Sequence, residues 1–280
     1  MGTISFYGIG LKDYKMELVT TEYKIHNKKI PVDFEGFRMV VLSDLHNQCF
    51  GEENADLIAR IHACEPDIII GAGDLLVGKP DEPFDTAIHL VKELVDAYPV
   101  YLALGNHEYR MKIYPDTYKD AWERYYQETT DLGCIWLDNE TIYLDRGSQA
   151  IAMTGLSMDA YYYKRFYKRK MSDAYLSELI PFDNRDVFQI LLAHNPEYFP
   201  EYATYGSDLV ISGHVHGGIV RLPGIGGLVS PMLKPFPKYD AGRFEEADSV
   251  MLLSAGLGSH TIKLRINNPA ELMVVTLHSV

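Results

Sequence analysis

The chain has 280 residues, of which 47% are hydrophobic, and this is enough to bury the core of one large α/β domain. Its formal net charge of −13 repels nucleic-acid phosphates at long range, which argues against a nucleic-acid-binding module. Cys49, Cys64 and Cys134 are odd in number and widely spaced, so they support neither a disulfide framework nor a Cys-x-x-Cys zinc site.

The cysteine usage indicates a reducing compartment. Residues 1–10 contain no basic region and too few apolar side chains to span a bilayer, so we predict neither a signal peptide nor a transmembrane helix. We therefore expect a cytoplasmic protein. Membrane association is the alternative if an anchor has been removed from a longer natural chain.

The first half of the sequence alternates strands with helices. Continuous or alternating apolar runs predict strands at 17–30, 39–43, 68–72 and 100–104. Apolar residues at helical spacing predict helices at 53–63 and 82–97, and a tyrosine-rich segment predicts a third at 115–132. This βαβαβ order implies a parallel sheet with right-handed crossovers.

Strands dominate the second half. They are predicted at 134–144, 150–156, 187–193, 208–213, 219–222, 249–255 and 270–278, with helix only around 172–180 and 196–205. So many strands in one compact chain indicate two packed sheets with helices outside, in one domain that covers residues 1–280. Residues 1–35 would form an N-terminal extension and strand region, and residues 157–185 a candidate cap segment.

Five of the apolar strands lead into side chains that can bind metal. These side chains are Asp44 and His46, Asp74, Asn106 and His107, His194, and His214 and His216. Ligands bind beyond the carboxyl ends of strands in α/β sheets, so we expect these groups to converge. Carboxylate, amide and imidazole donors without a thiolate suit two divalent ions, manganese, iron or zinc, in a catalytic site. Asp74 would bridge the pair at roughly 3.5–4 Å separation.

Each motif alone has a simpler interpretation. A single strand-end Asp or His is more often a hydrogen-bonded loop residue than a ligand. The sequence Gly105-Asn-His-Glu108 also fits a helix start with Asn106 as its N-cap. The conjunction of five such motifs, each after an apolar strand, favours the metal site.

Together the motifs resemble the signature series of the calcineurin-like metallophosphoesterases, and the chain is most similar to their bacterial phosphodiesterase-like branch. The motifs are Ser43-Asp-Leu-His46, Gly73-Asp74, Gly105-Asn-His-Glu108, Ala193-His194 and Ser212-Gly-His-Val-His-Gly217. The resemblance covers roughly residues 20–280. It implies an α/β fold, a four-layer αββα sandwich of two mixed β-sheets flanked by helices.

The resemblance also implies which residues hold each ion. The ligand sets are Asp44, His46, Asp74 and His216 for one ion, and Asp74, Asn106, His194 and His214 for the other. His107 matches the family's catalytic histidine. With Asp74 and Asn106 it would form the catalytic group, in which Asn106 orients the phosphoryl oxygens and His107 protonates the leaving oxygen or stabilises transition-state charge.

We expect a binuclear metal-dependent phosphoesterase in which a hydroxide bridging the ions attacks phosphorus in line with the leaving group. A phosphodiesterase is the favoured activity, on a small-molecule or lipid-linked phosphoester. The alternatives are a pyrophosphatase that acts on a nucleotide-sugar lipid and a non-catalytic scaffold that retains the fold. The residues leave the natural substrate and the oligomeric state open.

Residues 161–170, Tyr-Tyr-Tyr-Lys-Arg-Phe-Tyr-Lys-Arg-Lys, are aromatic and basic in an acidic chain. One interpretation is a cap that grips an anionic or lipid-bearing substrate, or a peripheral contact with a membrane surface. The other is a solvated segment whose tyrosines pack on the core, and this simpler interpretation is the favoured one.

Overall fold

The structure is a computed structural model that describes residues 16–164, 168–172, 174–180, 186–218, 220–222, 226–228, 235–259 and 265–280. The strands are β1 (Leu18–Asn27), β2 (Arg38–Leu42), β3 (Ile68–Ala72), β4 (Val100–Ala103), β5 (Ile135–Leu137), β6 (Thr141–Arg146), β7 (Gln149–Leu156), β8 (Gln189–Ala193), β9 (Leu209–Ser212), β10 (Arg221–Leu222), β11 (Gly226–Gly227), β12 (Gly242–Glu246), β13 (Ser249–Leu253) and β14 (Ala270–Ser279). The helices are α1 (Ala55–Ala63), α2 (Asp85–Val95), α3 (Asn106–Ile113), α4 (Pro115–Tyr118), α5 (Ala121–Asp131), α6 (Tyr175–Leu179) and α7 (Phe199–Tyr205).

The first sheet has six strands in the order β1-β14-β2-β3-β4-β5. Strands β2 to β5 run parallel, with Ile70 of β3 paired to Val41 on one side and to Tyr101 on the other. This confirms the parallel sheet predicted from the βαβαβ order. Strand β14 lies antiparallel to β2 and parallel to β1, so the sheet as a whole is mixed.

The second sheet also has six strands, in the order β12-β13-β9-β8-β7-β6. The inner four are parallel, and antiparallel strands flank them on both edges. Strands β10 and β11 form a separate two-stranded antiparallel ribbon. The carboxyl ends of β8 and β9 therefore lie at one edge of this sheet, as those of β2, β3 and β4 do in the first.

Three hydrophobic cores separate four layers. The central core lies between the sheets and contains Ile70 of β3 together with Ile190 of β8 and Ile211 of β9. A second core joins the first sheet to α1, α2, α3 and α5, and a third joins the second sheet to α6 and α7. Helix, sheet, sheet and helix thus stack in that order, which confirms the predicted αββα sandwich of two mixed sheets.

The run at 134–144 is not one strand, as the sequence predicts, but two strands in different sheets. Strand β5 ends the first sheet and β6 begins an edge of the second. The chain turns between them at Asn139, whose φ is 58° and whose side-chain oxygen accepts a hydrogen bond from the backbone N–H of Ser157 at 2.8 Å. The polar residues Asp138, Asn139 and Glu140 separate the two strands, and they are the turn signal that apolar spacing alone passes over.

Three of these elements had no range predicted from the sequence. Helix α3 lacks a continuous apolar face in its sequence, Asn-His-Glu-Tyr-Arg-Met-Lys-Ile, so spacing gave no signal for it. Strand β11 consists of two glycines, and strand β12 is a mostly charged edge strand, in which hydrophobic alternation is weak. The helix at 115–132 is two helices, α4 and α5, and within the described part of 219–222 strand β10 covers Arg221–Leu222.

Three segments predicted from the sequence lie partly outside the described residues. These parts are 1–15 of the N-terminal region 1–35, residue 219 of the predicted strand 219–222, and 165–167, 173 and 181–185 of the candidate cap 157–185. In the part of the chain that is described, no helix is long and apolar enough to cross a membrane. The single-domain organisation remains a prediction.

The buried packing between the sheets predicts a large loss of stability for Ile70→Ala. Ile70 is fully buried, and shortening it leaves a cavity between the sheets, so we expect the free energy of unfolding to fall by about 2–5 kcal/mol. The matched control is Val32→Ala, where the side chain is 69% exposed and the change should stay within about 0.5 kcal/mol. Urea denaturation of both variants measures the difference, and equal losses would contradict the packing described here.

Candidate metal centre

The candidate site forms where strand ends of the two sheets meet. The backbone N–H of Asp44, after β2, donates to the carbonyl of Gly73, after β3, at 3.0 Å. In the second sheet the N–H of Gly213 donates to the carbonyl of His194 at 3.1 Å. The N–H of His214 then crosses between the sheets and donates to the carboxylate of Asp44 at 3.1 Å. Backbone contacts thus bring side chains from distant parts of the sequence to one place.

One group of candidate ligands comprises Asp44, His46 and His216, which are all buried and whose ligating atoms lie within 4.8 Å of one another. The Nε2 atoms of His46 and His216 are 3.2 Å apart, and His216 Nε2 lies 3.3 Å from Oδ1 of Asp44. Nitrogen ligands at about 2.0–2.1 Å from one ion stand about 3 Å apart, so these separations fit a shared cation.

A second group comprises Asp74, His194 and His214, again within 4.8 Å of one another. Nε2 of His194 lies 3.1 Å from Oδ2 of Asp74. The same oxygen is 3.9 Å from Nε2 of His46, so Asp74 stands between the two groups. This is the arrangement that a carboxylate shared by two ions requires.

Three buried atoms of the predicted ligands have no hydrogen-bond partner of suitable geometry among the described residues. They are Oδ1 of Asn106 and the Nε2 atoms of His194 and His214. A buried polar atom without a partner is costly, and bound cations would satisfy such atoms. The residues present therefore fit the divalent metals that the sequence predicts.

The proton positions on three histidines favour metal binding through Nε2. In each, Nδ1 faces a backbone carbonyl, which can only accept, so Nδ1 carries the proton of the neutral ring, and Nε2 presents a lone pair whenever the ring is neutral. The pairs are His46 with Leu76 at 3.3 Å, His194 with Ala72 at 2.9 Å and His216 with Gly258 at 3.2 Å. Two lone pairs facing each other between His46 and His216 repel unless a cation lies between them.

His107 has the opposite arrangement. Its Nδ1 accepts a hydrogen bond from the backbone N–H of Gly78 at 2.8 Å, so the proton of the neutral ring sits on Nε2. That Nε2 lies 3.9 Å from Oδ2 of Asp74. Distances alone would group His107 with His46 and Asp74 as ligands, but an Nε2–H has no lone pair for a metal. The proton position sets His107 apart from the ligands, because the Gly78 backbone N–H cannot accept and so keeps Nδ1 as the acceptor.

The charges of the site act strongly on its titratable groups. Although burial opposes its ionisation, the positive charge of His194 holds the pKa of Asp74 well below its usual value. Burial also opposes a charge on His194, but the carboxylates of Asp74 and Asp44 raise its pKa to about 10. Burial lowers the pKa of His214 and His216 to about 3. One histidine of the site is thus protonated at neutral pH and two are neutral.

Five of the candidate ligands adopt positive φ, a backbone conformation that non-glycine residues rarely take. The residues are Asp44 (51°), His46 (47°), Asp74 (56°), His214 (73°) and His216 (53°). Such conformations cost of order 1–3 kcal/mol each and persist only where the surrounding structure imposes them. Their concentration in this one place marks it as a functional site.

Glu108 fixes the turn that carries Asp74. Its buried carboxylate accepts hydrogen bonds from the backbone N–H groups of Asp74 (2.9 Å), Leu75 (2.9 Å) and Gly105 (3.0 Å). Burial and the charge of Asp74 raise the pKa of Glu108 to about 8. The sequence analysis gave Glu108 no role, although an acidic residue three positions after Gly105 is the signal of a helix capping arrangement.

The structure places all eight predicted site residues around this one centre. Asn106 is the first residue of α3, and Gly105 occupies the N-cap position, so the alternative in which Asn106 caps the helix is wrong. Glycine is required at 105, because a Cβ there would stand 2.2 Å from Oδ1 of Asp74. The roles of the eight residues as ligands and catalysts are taken up below as proposals.

The aromatic and basic stretch at 161–170 combines packed and exposed parts. The ring of Tyr162 packs against Tyr175 and Tyr198, at centroid distances of 4.6 and 5.3 Å. Tyr161 is 46% exposed, and the cationic groups of Lys164 and Arg169 lie over its ring at 5.5 and 4.8 Å. Whether residues 161–170 act as a cap or are a solvated segment stays a prediction.

Comparison with known proteins agrees with this geometry. Residues 37–218 match the family model of the calcineurin-like phosphoesterases. The metallophosphoesterase YkuE of Bacillus subtilis is 27% identical over 93% of this chain and 85% of its own length. The phosphodiesterase YaeI of Escherichia coli is 22% identical over 86% of this chain and 82% of its own length. The UDP-2,3-diacylglucosamine pyrophosphatase LpxG of Chlamydia trachomatis is 22% identical over 89% of this chain and 87% of its own length.

The αββα sandwich, with acidic and imidazole side chains at the strand ends of both sheets, defines a metal-dependent hydrolase of phosphoric esters. Because the family model covers well over half of the sequence, the chain belongs to the calcineurin-like phosphoesterase family.

The proton on His194 predicts that metal binding releases protons. A histidine must be neutral to bind a metal, and the pKa of His194 is about 10, so at pH 7.5 we expect at least one proton released per protein molecule. Lowering the pH should weaken metal binding, because protons compete for the same nitrogen. Titration calorimetry with Zn²⁺ or Mn²⁺ in buffers of different ionisation enthalpy measures the release. The control variant His89→Ala changes a histidine of α2 that lies outside the site, so it should release as many protons as the wild type. A binding enthalpy that does not depend on the buffer would contradict the prediction.

Proposed function

We propose that the protein is a binuclear metal-dependent phosphodiesterase. The observation that supports this most directly is the position of the Asp74 carboxylate between two groups of candidate ligands. Beside it lies His107, whose neutral ring carries its proton on Nε2 and not on Nδ1. Asp44, His46, Asp74 and His216 would hold one ion, and Asp74, Asn106, His194 and His214 the other. Manganese, iron and zinc each suit such oxygen and nitrogen ligands.

When bound, a pair of divalent ions neutralises charge on the phosphoryl group and lowers the pKa of a water molecule so that it can attack phosphorus. The chain's own residues supply the positioning. The N–H of His107 donates to Oδ1 of Asp74 at 2.8 Å, which fixes one carboxylate oxygen and aims the other at His194. The amide of Asn106, on the adjacent residue, would orient a phosphoryl oxygen.

His107 would stabilise charge in the transition state. Its Nε2–H faces the site, since the N–H of Gly78 holds Nδ1 as an acceptor. The neutral ring can donate a hydrogen bond to the leaving oxygen as negative charge develops there, while the proton stays on Nε2. Removing one such preorganised donor costs about 10²–10³-fold in rate.

The relatives favour a diester but also suggest a second candidate. YaeI is named a phosphodiesterase, and LpxG is named a pyrophosphatase of UDP-2,3-diacylglucosamine, which carries acyl chains. The exposed ring of Tyr161, with Lys164 and Arg169 over it, favours the second candidate, because aromatic and cationic side chains suit a lipid-bearing anion. A non-catalytic scaffold is disfavoured, because the ligand groups and His107 are all in place.

The experiment that tests the proposal is hydrolysis of a small substrate panel by protein loaded with manganese, zinc or iron. The panel contains an aryl phosphodiester, an aryl phosphomonoester, a cyclic nucleotide and a nucleotide-sugar lipid. Turnover of the aryl diester above that of the monoester supports the phosphodiesterase. Preference for the nucleotide-sugar lipid selects the pyrophosphatase, and no turnover of any member with any metal refutes a hydrolase.

Variants of Asp74 and His107 should separate metal binding from catalysis. Asp74→Asn removes the shared carboxylate charge, so we expect loss of both bound metal and activity. His107→Ala removes a hydrogen-bond donor that is not a ligand, so metal content should stay unchanged while kcat falls by about 10²–10³-fold. Elemental analysis and steady-state kinetics measure the two effects. A His107 variant with unchanged turnover would remove this residue from the mechanism.

A further inference from the structure

Tyr163 faces the site without having entered the proposed reaction. It ends a 3₁₀ turn (Ala160–Tyr163), and its ring contacts the ring of His214 edge to face, with centroids 5.3 Å apart and planes at 78°. His214 belongs to the ligand group that also contains Asp74 and His194. The Tyr163 side chain is only partly exposed, and its ring lies beside the group that would hold the second ion.

Two sets of contacts hold the turn in place. Asn195 follows the candidate ligand His194, and its side-chain N–H donates to the carbonyl of Tyr162 at 3.1 Å. The Asn195 side-chain oxygen meanwhile accepts from the N–H of Glu197 at 3.0 Å. The strand end that presents His194 therefore also fixes the backbone next to Tyr163.

The other contacts connect the turn to α3. Asp159, immediately before the turn, accepts hydrogen bonds from the hydroxyls of Tyr175 at 3.1 Å and Tyr109 at 3.3 Å. Tyr109 is two residues after His107 in α3. The phenol of Tyr163 thus stands on a turn anchored both to the helix that carries His107 and to the strand end that carries His194. Such anchoring preorganises a donor before substrate arrives.

The Tyr163 hydroxyl is suited to donate a hydrogen bond. A tyrosine phenol is protonated at neutral pH and carries one O–H donor. The Tyr163 ring lies against His214, whose ligand group contains Asp74, so the phenol belongs to a side chain at the edge of the centre. A phosphoryl group bound there would present anionic oxygens to it.

We propose that the Tyr163 hydroxyl donates a hydrogen bond to a phosphoryl oxygen of the substrate, on the His214 side of the centre. This inference rests on the proposed phosphoesterase function and adds a substrate contact to it. His107 and Tyr163 would then approach the phosphoryl group from separate elements, one at the start of α3 and the other on the 3₁₀ turn. A hydrogen bond from a neutral donor to a charged oxygen stabilises the bound group, and it strengthens where charge accumulates in the transition state.

The test compares two conservative variants of the same turn. Tyr163→Phe removes the proposed donor and keeps the ring against His214. Tyr162→Phe is the matched control, since it removes one hydroxyl from the adjacent residue, whose ring packs on Tyr175 and Tyr198. For both variants and the wild type we would measure bound metal by elemental analysis, kcat and KM on an aryl phosphodiester, and the affinity for inorganic phosphate by titration calorimetry.

We expect Tyr163→Phe to lower kcat/KM by about 10- to 100-fold and to weaken phosphate binding, with metal content unchanged. Tyr162→Phe should stay within about twofold of the wild type in every measurement, since it keeps the ring that packs on Tyr175 and Tyr198. Equal kinetics and phosphate affinity in Tyr163→Phe and wild type would overturn the proposal. Loss of metal in Tyr163→Phe would overturn it as well, because the hydroxyl would then act on the ion site.

The phosphate titration distinguishes a failure of the proposed function from a failure of the proposed role of Tyr163. If the wild type hydrolyses no phosphoester, the proposed function fails, whereas a phosphate affinity that depends on the Tyr163 hydroxyl still identifies the contact. If the wild type hydrolyses the diester and both variants match it, only the role of Tyr163 fails.

Discussion

The site depends on one buried carboxylate with a fixed orientation. Oδ1 of Asp74 accepts the N–H of His107, and Oδ2 points at the imidazole of His194. The backbone of Asp74 is itself held by the carboxylate of Glu108. A buried charge is costly unless it is paired and hydrogen-bonded, and these contacts come from the start of α3 and from the residue after β8 in the second sheet. The position of Asp74 therefore sets the relative placement of the two sheets at this edge.

The same logic explains why strain is tolerated there. Positive φ at Asp44, Asp74 and three histidines costs free energy locally, while the surrounding strands are parallel, buried and fully hydrogen-bonded. A stable scaffold can hold strained turns at its rim because the cost is small beside the burial of three apolar cores. Side chains presented in this way have little freedom to rearrange, which suits a centre that must hold cations at fixed distances.

The sequence predicted the parts of the fold that rest on local pattern, and missed those that rest on tertiary contacts. Strands β3, β8 and β9 are continuous apolar runs, so their position and the residues at their ends could be read directly. The split of 134–144 between two sheets, and the helix at Asn106, depend on where neighbouring elements lie. Glu108 and Tyr163 were missed as site residues for the same reason, since their partners are distant in sequence.

Strand β14 lies between β1 and β2, although it is the last strand in the sequence and they are the first two. The first sheet therefore stays divided during synthesis, with β1 unpaired and the inner edge of β2 exposed. Non-local pairing of this kind slows folding, and unpaired edges invite association with other chains. A growing chain that already contains every residue of the metal centre still lacks a complete sheet beneath it, so the site can become rigid only once β14 has taken its place between β1 and β2.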